Sequence, residues 1–140
     1  MFVALAIMKR TIILYAEDDS DDRQLMRETI NALEPTYELV TANDGAEAMD
    51  ALTALEASGD RPSMIILDMN MPRLDGRETL ERVRSNHQWD DIPVCIFSTS
   101  MRNRFADLAV TFDVDIVTKP IKQEDMLESI KRLLAFCREC

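Results

Sequence analysis

The chain has 140 residues, of which 46% are hydrophobic and 30% are charged. That length suits one globular domain that buries a core of its own. The formal net charge of -10 disfavours nonspecific binding to nucleic acid or to an anionic membrane, because phosphate-bearing surfaces attract Lys and Arg. We therefore expect no nucleic-acid partner and no membrane insertion.

The first seven residues, MFVALAI, are apolar, but the run is far shorter than a membrane span. Lys9 and Arg10 follow this run, whereas the basic residues of a secretory signal precede its apolar part. We therefore predict an N-terminal extension at 1–8 and one domain at 9–140. With no export signal, the chain is predicted to be cytoplasmic.

The chain has three cysteines, which are too few for a disulfide scaffold. Cys137 and Cys140 form a C-x-x-C at the end of the chain, but no second pair completes four zinc ligands. We interpret this motif as a tail after the last helix rather than as a redox or zinc site. Cys95 lies in an apolar run and is predicted to be a core residue.

Short apolar runs rich in β-forming residues alternate with segments of helical period. The predicted strands are 11–16, 37–40, 63–68, 93–98 and 115–118. The predicted helices are 21–33, 45–57, 75–85, 102–109 and 122–136. Several of the strands are apolar almost throughout, as expected when helices cover both faces of a parallel sheet. The pattern predicts an α/β fold of five βα units.

In an open parallel sheet, the functional crevice lies beyond the carboxyl ends of the strands. The residues that end the first, third, fourth and fifth predicted strands are, in order, Glu17, Asp18 and Asp19, then Asp68 and Asn70, then Ser98 and Thr99, then Lys119. Acidic, hydroxyl and lysine side chains are therefore predicted to meet at one edge of the sheet.

Carboxylates held together repel one another, by about 1 kcal/mol for two unit charges at 4 Å in water and by about 4 kcal/mol at an effective dielectric constant of 20. Mg²⁺ is a natural partner, because it binds one or two carboxylates together with water and a phosphoryl group. A carboxylate can also attack phosphorus to form an aspartyl phosphate, and a Lys ammonium and a Ser hydroxyl suit the positioning of the phosphoryl oxygens. Asp68, which ends the central strand, is the candidate nucleophile.

Four motifs, YAEDD, LDMNMPRLDG, FSTS and TKP, occur in this order at four predicted strand ends. Together they resemble the receiver domain of two-component response regulators, over about residues 9–136. The resemblance implies a doubly wound, flavodoxin-like (βα)5 fold with strand order 2-1-3-4-5. It also implies a signalling protein rather than an enzyme, in which Asp68 accepts phosphate from a histidine kinase or a histidine phosphotransfer protein.

The resemblance also assigns roles to single residues. The implied Mg²⁺ ligands are Glu17, Asp18, Asp68 and the backbone carbonyl of Asn70. Ser98 matches the hydroxyl that moves to the phosphoryl oxygen, Lys119 matches the ammonium that pairs with it, and the peptide bond before Pro120 is implied to be cis. Ile116 stands where receivers often carry an aromatic switch residue, which puts a standard switch in doubt. Thr99 stands where a small residue is common, so it either narrows access to the phosphate or contacts the phosphoryl group.

The expected output is a change in protein–protein binding by a stand-alone receiver, through about residues 102–136. A phosphate-independent interaction module with the same fold is the alternative, although the complete set of site residues argues against it. A phosphohydrolase of the haloacid dehalogenase kind is disfavoured, because Asn70 stands where a second Asp would act as general acid. Flavin binding is disfavoured because the first loop carries five carboxylates that would repel a phosphate.

Other polar residues have simple structural interpretations. Ser20, Asp21 or Asp22 is predicted to cap the first helix, since acids favour the positive end of a helix, and Asp19 is interpreted in the same way. The single histidine, His87, is predicted to lie in a loop.

Overall fold

Strands and helices alternate along the chain in the computed structural model, which describes residues 10–99 and 105–137. The strands of this part of the chain are β1 (Ile12–Ala16), β2 (Glu38–Ala42), β3 (Met64–Leu67), β4 (Val94–Ser98) and β5 (Asp115–Thr118). Its helices are α1 (Ser20–Leu33), α2 (Gly45–Ala57), α3 (Gly76–Ser85), α4 (Ala106–Phe112) and α5 (Met126–Leu134). Short 3-10 turns lie at His87–Trp89 and Gln123–Asp125.

The strands form one parallel sheet in the order β2-β1-β3-β4-β5. The predicted flavodoxin-like topology is therefore confirmed. The chain reverses its direction of winding between β1 and β3, and parallel sheets of this kind bind ligands at that point. The carboxyl ends of β1 and β3 thus lie side by side, with Ala16 opposite Leu67.

Helices cover both faces of the sheet, because alternate strand residues point to opposite sides. One face packs against α1 and α5 through a core that includes Ile13, Ile66, Ile30 and Ile130. The other face packs against α2, α3 and α4, with a core that includes Leu14, Ile65, Leu52, Leu80 and Leu108. Full burial of each such aliphatic side chain contributes about 1.5–3 kcal/mol. Both sides of β1 and β3 are therefore shielded from water, and the packed strands hold the residues that follow them in fixed positions.

Some predicted boundaries differ from those observed. β2 extends to Ala42 rather than ending at residue 40, because its pairing with β1 continues through Thr41 and Ala42. The last helix begins at Met126 rather than at residue 122, since a 3-10 turn at Gln123–Asp125 comes first. Part of the predicted helix at 102–109, the extension at 1–8, and Cys140 fall outside the described residues.

The bond between Lys119 and Pro120 is trans, since the described part of the chain has no cis peptide bond. The expected cis bond is therefore wrong, and the chain follows the general preference of X-Pro bonds for trans, about 0.5–1 kcal/mol. Across residues 10–99 and 105–137, no helix is both long enough and apolar enough to cross a membrane.

Candidate functional site

The ends of β1 and β3 set the positions of two acidic side chains. The backbone amide of Glu17 donates to the carbonyl of Ala42 at 2.9 Å, and the amide of Asp68 donates to the carbonyl of Ala16 at 3.0 Å. These hydrogen bonds continue the ladders of the sheet for one residue beyond the strands. Glu17 and Asp68 are therefore anchored by the backbone, although neither belongs to a strand.

Glu17, Asp18 and Asp68 form a group of carboxylates whose oxygens lie within 4.8 Å of one another. Glu17 is only 1% exposed and Asp68 is 5% exposed, whereas Asp18 lies open to solvent. Three oxygen donors, two of them held in place by burial, form an open set suited to a hard divalent cation. The structure thus brings together the three predicted carboxylate ligands.

Lys119, which follows β5, points its ammonium group into this acidic region. Its Nζ donates to Glu17 Oε1 and to Asp22 Oδ2, the second bond at 2.9 Å. The ammonium group also lies 5.8 Å from the centre of the Phe97 ring, within the range of a cation–π contact. Lys119 is 7% exposed, so a positive charge is held among carboxylates with little water around it.

Burial and charge shift the pKa values of this group. Burial, followed by a hydrogen bond with Asp68, raises the pKa of Glu17. Burial alone would lower the pKa of Lys119, but its hydrogen bonds with Glu17 and Asp22 outweigh this effect and raise that pKa. Lys119 therefore stays charged and supplies a buried cation to the site.

Tyr15 also contacts the site. Its buried hydroxyl lies 3.2 Å from Glu17 Oε1 and donates a hydrogen bond to it. Burial first, and the negative charge of Glu17 next, raise the pKa of Tyr15. Tyr15 therefore serves as a fixed donor to the most buried acid of the site.

The N-terminus of α1 is capped by Asp19, which the sequence assigned to this helix start together with Ser20, Asp21 and Asp22, and not by any of those three residues. Asp19 Oδ1 accepts from the amides of Asp21 at 2.8 Å and Asp22 at 3.2 Å. The helix therefore begins at Ser20, one residue earlier than expected, because Asp19 has the extended backbone of an N-cap residue. Asp22 lies inside the first turn, where its side chain reaches Lys119 instead of a backbone amide.

The connection between β3 and α3 carries Asn70, whose side chain is exposed. It ends at Asp75, which caps α3 in a capping box with Glu78. A Cβ atom on Gly76 would lie 2.4 Å from the carbonyl oxygen of Asp68. Glycine at this position thus lets α3 begin directly against the backbone of Asp68.

The end of β4 places Ser98 in the interior, where it is 2% exposed, and leaves Thr99 open to solvent. The backbone amide of Lys119 donates to the Ser98 carbonyl at 2.9 Å, so the ends of β4 and β5 are fixed to each other. Ile116, which stands at the position expected for an aromatic switch residue, is half-buried and packs against the α2–α3–α4 side of the core.

The contacts of the site that were not predicted from the sequence include those of Tyr15, Asp22 and Phe97. Tyr15 and Phe97 look like ordinary core residues, and the strand alternation that turns both toward the α1 and α5 side offered the only signal. Asp22 was explained by the preference of acidic residues for the positive end of a helix, and this explanation did not predict its contact with Lys119, which is 97 residues away.

The family model of the response regulator receiver domain matches residues 13–131. The chain therefore belongs to the response regulator receiver domain family. Proteins of this class act in two-component signalling, and the chain is a receiver-domain response regulator.

Individual relatives agree with this assignment. Response regulator Rcp1 of Synechocystis sp. is 29% identical over 136 residues, which cover 91% of this chain and 89% of Rcp1. Response regulator MprA of Mycobacterium avium is 35% identical over 124 residues, or 87% of this chain, and the match spans only 50% of MprA.

Solved structures show the same fold. The phosphorylated cyanobacterial phytochrome response regulator RcpA superposes with a TM-score of 0.83 at 30% identity, covering 93% of this chain and 95% of RcpA. The Mn²⁺-bound form of Rcp1 superposes with a TM-score of 0.79 at 28% identity, covering 93% of this chain and 96% of Rcp1.

Proposed function

We propose that Asp68 accepts a phosphoryl group from a phosphohistidine in a Mg²⁺-dependent reaction, and that the phosphorylated chain signals by changing its protein–protein binding. The observation that carries this proposal is the group formed by Glu17, Asp18 and Asp68, with Lys119 bonded to Glu17. Phosphorylated RcpA and Mn²⁺-bound Rcp1, two proteins of similar fold, support it. The proposal includes the cytoplasmic location that the sequence predicts.

The residues of the site fit a magnesium ion by their chemistry. Glu17, Asp18 and Asp68 supply carboxylate oxygens, and the carbonyl of Asn70 is the proposed fourth protein ligand. Mg²⁺ prefers oxygen ligands and usually keeps several waters, which suits a set that is exposed at Asp18. The bound ion would neutralise charge on the phosphoryl oxygens.

In the proposed step, a carboxylate oxygen of Asp68 forms a bond to phosphorus while the bond from phosphorus to the donor's imidazole nitrogen breaks. The imidazole leaves with the electron pair of that bond and takes up a proton from solvent. Asp68 thereby becomes an acyl phosphate. Burial at 5% exposure holds the nucleophile in one place for this reaction.

Ser98 and Lys119 are proposed to receive the phosphoryl oxygens. Ser98 ends β4, which is next to β3 in the sheet, and Lys119 follows β5, which is next to β4. A backbone hydrogen bond joins the two residues. Lys119 would supply a positive charge and Ser98 a hydroxyl donor. Thr99, which is exposed, is proposed to contact the phosphoryl group from the solvent side.

The surface proposed for the downstream partner lies at about residues 102–136. Among the described residues, the exposed large hydrophobic side chains are Val110, Ile121 and Leu127, and all three fall in this range. We propose that these three side chains contact the partner, because apolar side chains on a surface are available for protein binding. The proposed donor is a histidine kinase or a histidine phosphotransfer protein.

The proposed domain limits, with the receiver at 9–140, gain support from Arg10. Its guanidinium donates to Glu38 at 2.7 Å and to Asp60 at 2.9 Å. These contacts tie the chain just before β1 to the sheet. A chain that starts at residue 9 keeps both contacts, so we expect it to unfold cooperatively in a denaturant titration.

A chain that binds partners without phosphate is the alternative function. The buried cation and acids favour the phosphoacceptor over this alternative, because burying charges costs several kcal/mol per ion and a purely binding module has no need of it. Asp68→Asn distinguishes the two functions. It should abolish phosphate-dependent partner binding by a phosphoacceptor, and it should leave the binding by a phosphate-independent module unchanged.

The test is the intact mass of the chain after incubation with acetyl phosphate or phosphoramidate, with and without Mg²⁺. We expect one added phosphoryl group that requires both Mg²⁺ and Asp68, and none on Asp68→Asn. Circular dichroism of Asp68→Asn should match the parent chain. A magnesium-binding chain that gains no phosphoryl group under any of these conditions would favour the alternative.

A further inference from the structure

The hydrogens of the Lys119 ammonium are largely committed in this structure. An ammonium group has three hydrogens to donate, and two of the bonds from Nζ go to Glu17 and to Asp22. Neither of these acids is the proposed phosphoacceptor. One hydrogen remains, so a phosphoryl group on Asp68 that takes more than one hydrogen bond from Lys119 must draw it from Glu17 or Asp22.

The two acids differ in how easily they can release Lys119. The side chain of Glu17 is 1% exposed, so its carboxylate would lose a partner without gaining water. The side chain of Asp22 is 31% exposed, so water can replace the lysine at its oxygens. Asp22 is therefore the partner that can be released at low cost.

Among residues 10–99 and 105–137, Lys119 is the partner to which the Asp22 carboxylate is bonded. The cap of α1 is the side chain of Asp19, which takes the amides of both Asp21 and Asp22. Asp21 lies in the same first turn and carries the same charge, but Asp22 is the one bonded to Lys119. The contact with Lys119 thus distinguishes Asp22 from Asp21.

We propose that Asp22 is a positioning residue that holds Lys119 in the unphosphorylated chain and releases it to the phosphoryl group on Asp68. This inference rests on the proposed function. A phosphoryl group adds a charge of about -1.5 to -2. That charge competes with Asp22 for the same ammonium, and the freed carboxylate turns to water. Asp22 therefore opposes phosphorylation in proportion to the strength of its ion pair.

The first test compares the rates at which three variants and the parent gain a phosphoryl group from acetyl phosphate with Mg²⁺, followed by intact mass. Asp22→Asn keeps the shape of the side chain but weakens the ion pair, so we expect a rate about two- to fivefold above the parent, the range for a partly exposed ion pair. Asp22→Glu keeps the charge and should restore the parent rate. Asp21→Asn removes the same charge one residue away and is the matched control.

A second measurement needs no phosphate donor. The free energies of unfolding of Asp22→Asn, Lys119→Gln and the double variant form a cycle with the parent, which isolates the interaction between the two side chains. We expect the double variant to lose less stability than the sum of the single variants. An additive result would overturn the inference, because Asp22 would then not hold Lys119 in solution.

The kinetic outcomes separate the inference from the proposed function. A parent chain that gains a phosphoryl group, with Asp22→Asn no faster than Asp21→Asn, would overturn the inference alone. A slower Asp22→Asn would do the same, since Asp22 would then assist the reaction. A parent chain that gains no phosphoryl group would overturn both.

Discussion

Asp44 and Arg73 join two loops of the site edge, with Arg73 Nε donating to Asp44 Oδ2 at 2.6 Å. Asp44 also caps α2, by accepting from the amide of Glu47 at 2.9 Å. Arg73 has a positive φ of 64°, a conformation that costs a non-glycine residue about 1–3 kcal/mol. The loop that carries Asn70 is thereby fastened to the start of α2, beside the proposed metal site.

We expect the two functions of Asp44 to be separable by substitution. Asp44→Ala removes the cap and the ion pair, and the loss of the cap alone should lower the free energy of unfolding by about 0.5–2 kcal/mol. Asp44→Asn keeps a capping side chain and weakens only the contact with Arg73, so it should lose less. Urea denaturation of both variants measures the difference, and equal losses would show that the cap does not contribute.

The same residue predicts a dependence of stability on pH. The hydrogen bond from Arg73, and next that from the amide of Glu47, lower the pKa of Asp44 below its ordinary value. A lowered folded-state pKa stabilises the fold above the unfolded-state pKa of about 3.9, and this stabilisation is lost as the pH falls through the folded value. The stability difference between the parent and Asp44→Asn should therefore be constant from about pH 7 to pH 5 and shrink below about pH 4. A difference that grows on acidification would contradict this assignment.

Asp18 and its neighbour Asp19 offer a matched test of the proposed metal site. Asp18→Asn removes one of the three clustered carboxylates, so Mg²⁺ affinity measured by titration calorimetry should fall by about tenfold or more, the loss that even outer-shell partners of a metal can cause. Asp19→Asn removes an equal charge and keeps a good N-cap residue, so its affinity should stay close to that of the parent. Equal losses in both variants would point to general charge attraction rather than to ligation by Asp18.

Gly76 predicts a steric effect on the site. A Cβ atom there would lie 2.4 Å from the Asp68 carbonyl oxygen and 2.7 Å from Met69 Cα, and backbone atoms cannot turn aside. Gly76→Ala should therefore cost about 1–3 kcal/mol of stability and weaken Mg²⁺ binding.

The control for this effect is Gly59→Ala, at a glycine with a positive φ and open space around it. It should cost about 1–2 kcal/mol through backbone strain and leave Mg²⁺ binding unchanged. Unchanged Mg²⁺ binding in Gly76→Ala would show that α3 can shift without moving Asp68.

The α/β pattern and the meeting of the acids were predictable from local patterns, whereas the strand order was implied by the resemblance to receiver domains. Apolar runs predicted the strands, and the rule that ligands bind beyond strand ends predicted that Glu17 and Asp68 would meet. Asp22 was not predictable, since its contact with Lys119 depends on how the first turn of α1 faces the end of β5. The limit of β2 at Ala42 likewise depends on its partner strand and not on its own residues.

The ion pair of Glu17 and Lys119 joins residues 102 positions apart in the chain. During synthesis from the N-terminus, the acids that follow β1 and β3 therefore leave the ribosome well before Lys119. Until β5 docks on β4, the carboxylate of Glu17 lacks the ammonium group of Lys119, and contacts between residues so far apart in the chain form slowly. The charge balance of the site is thus completed only when β5 docks on β4, so the nascent chain carries an unbalanced acidic edge until its fifth strand is in place.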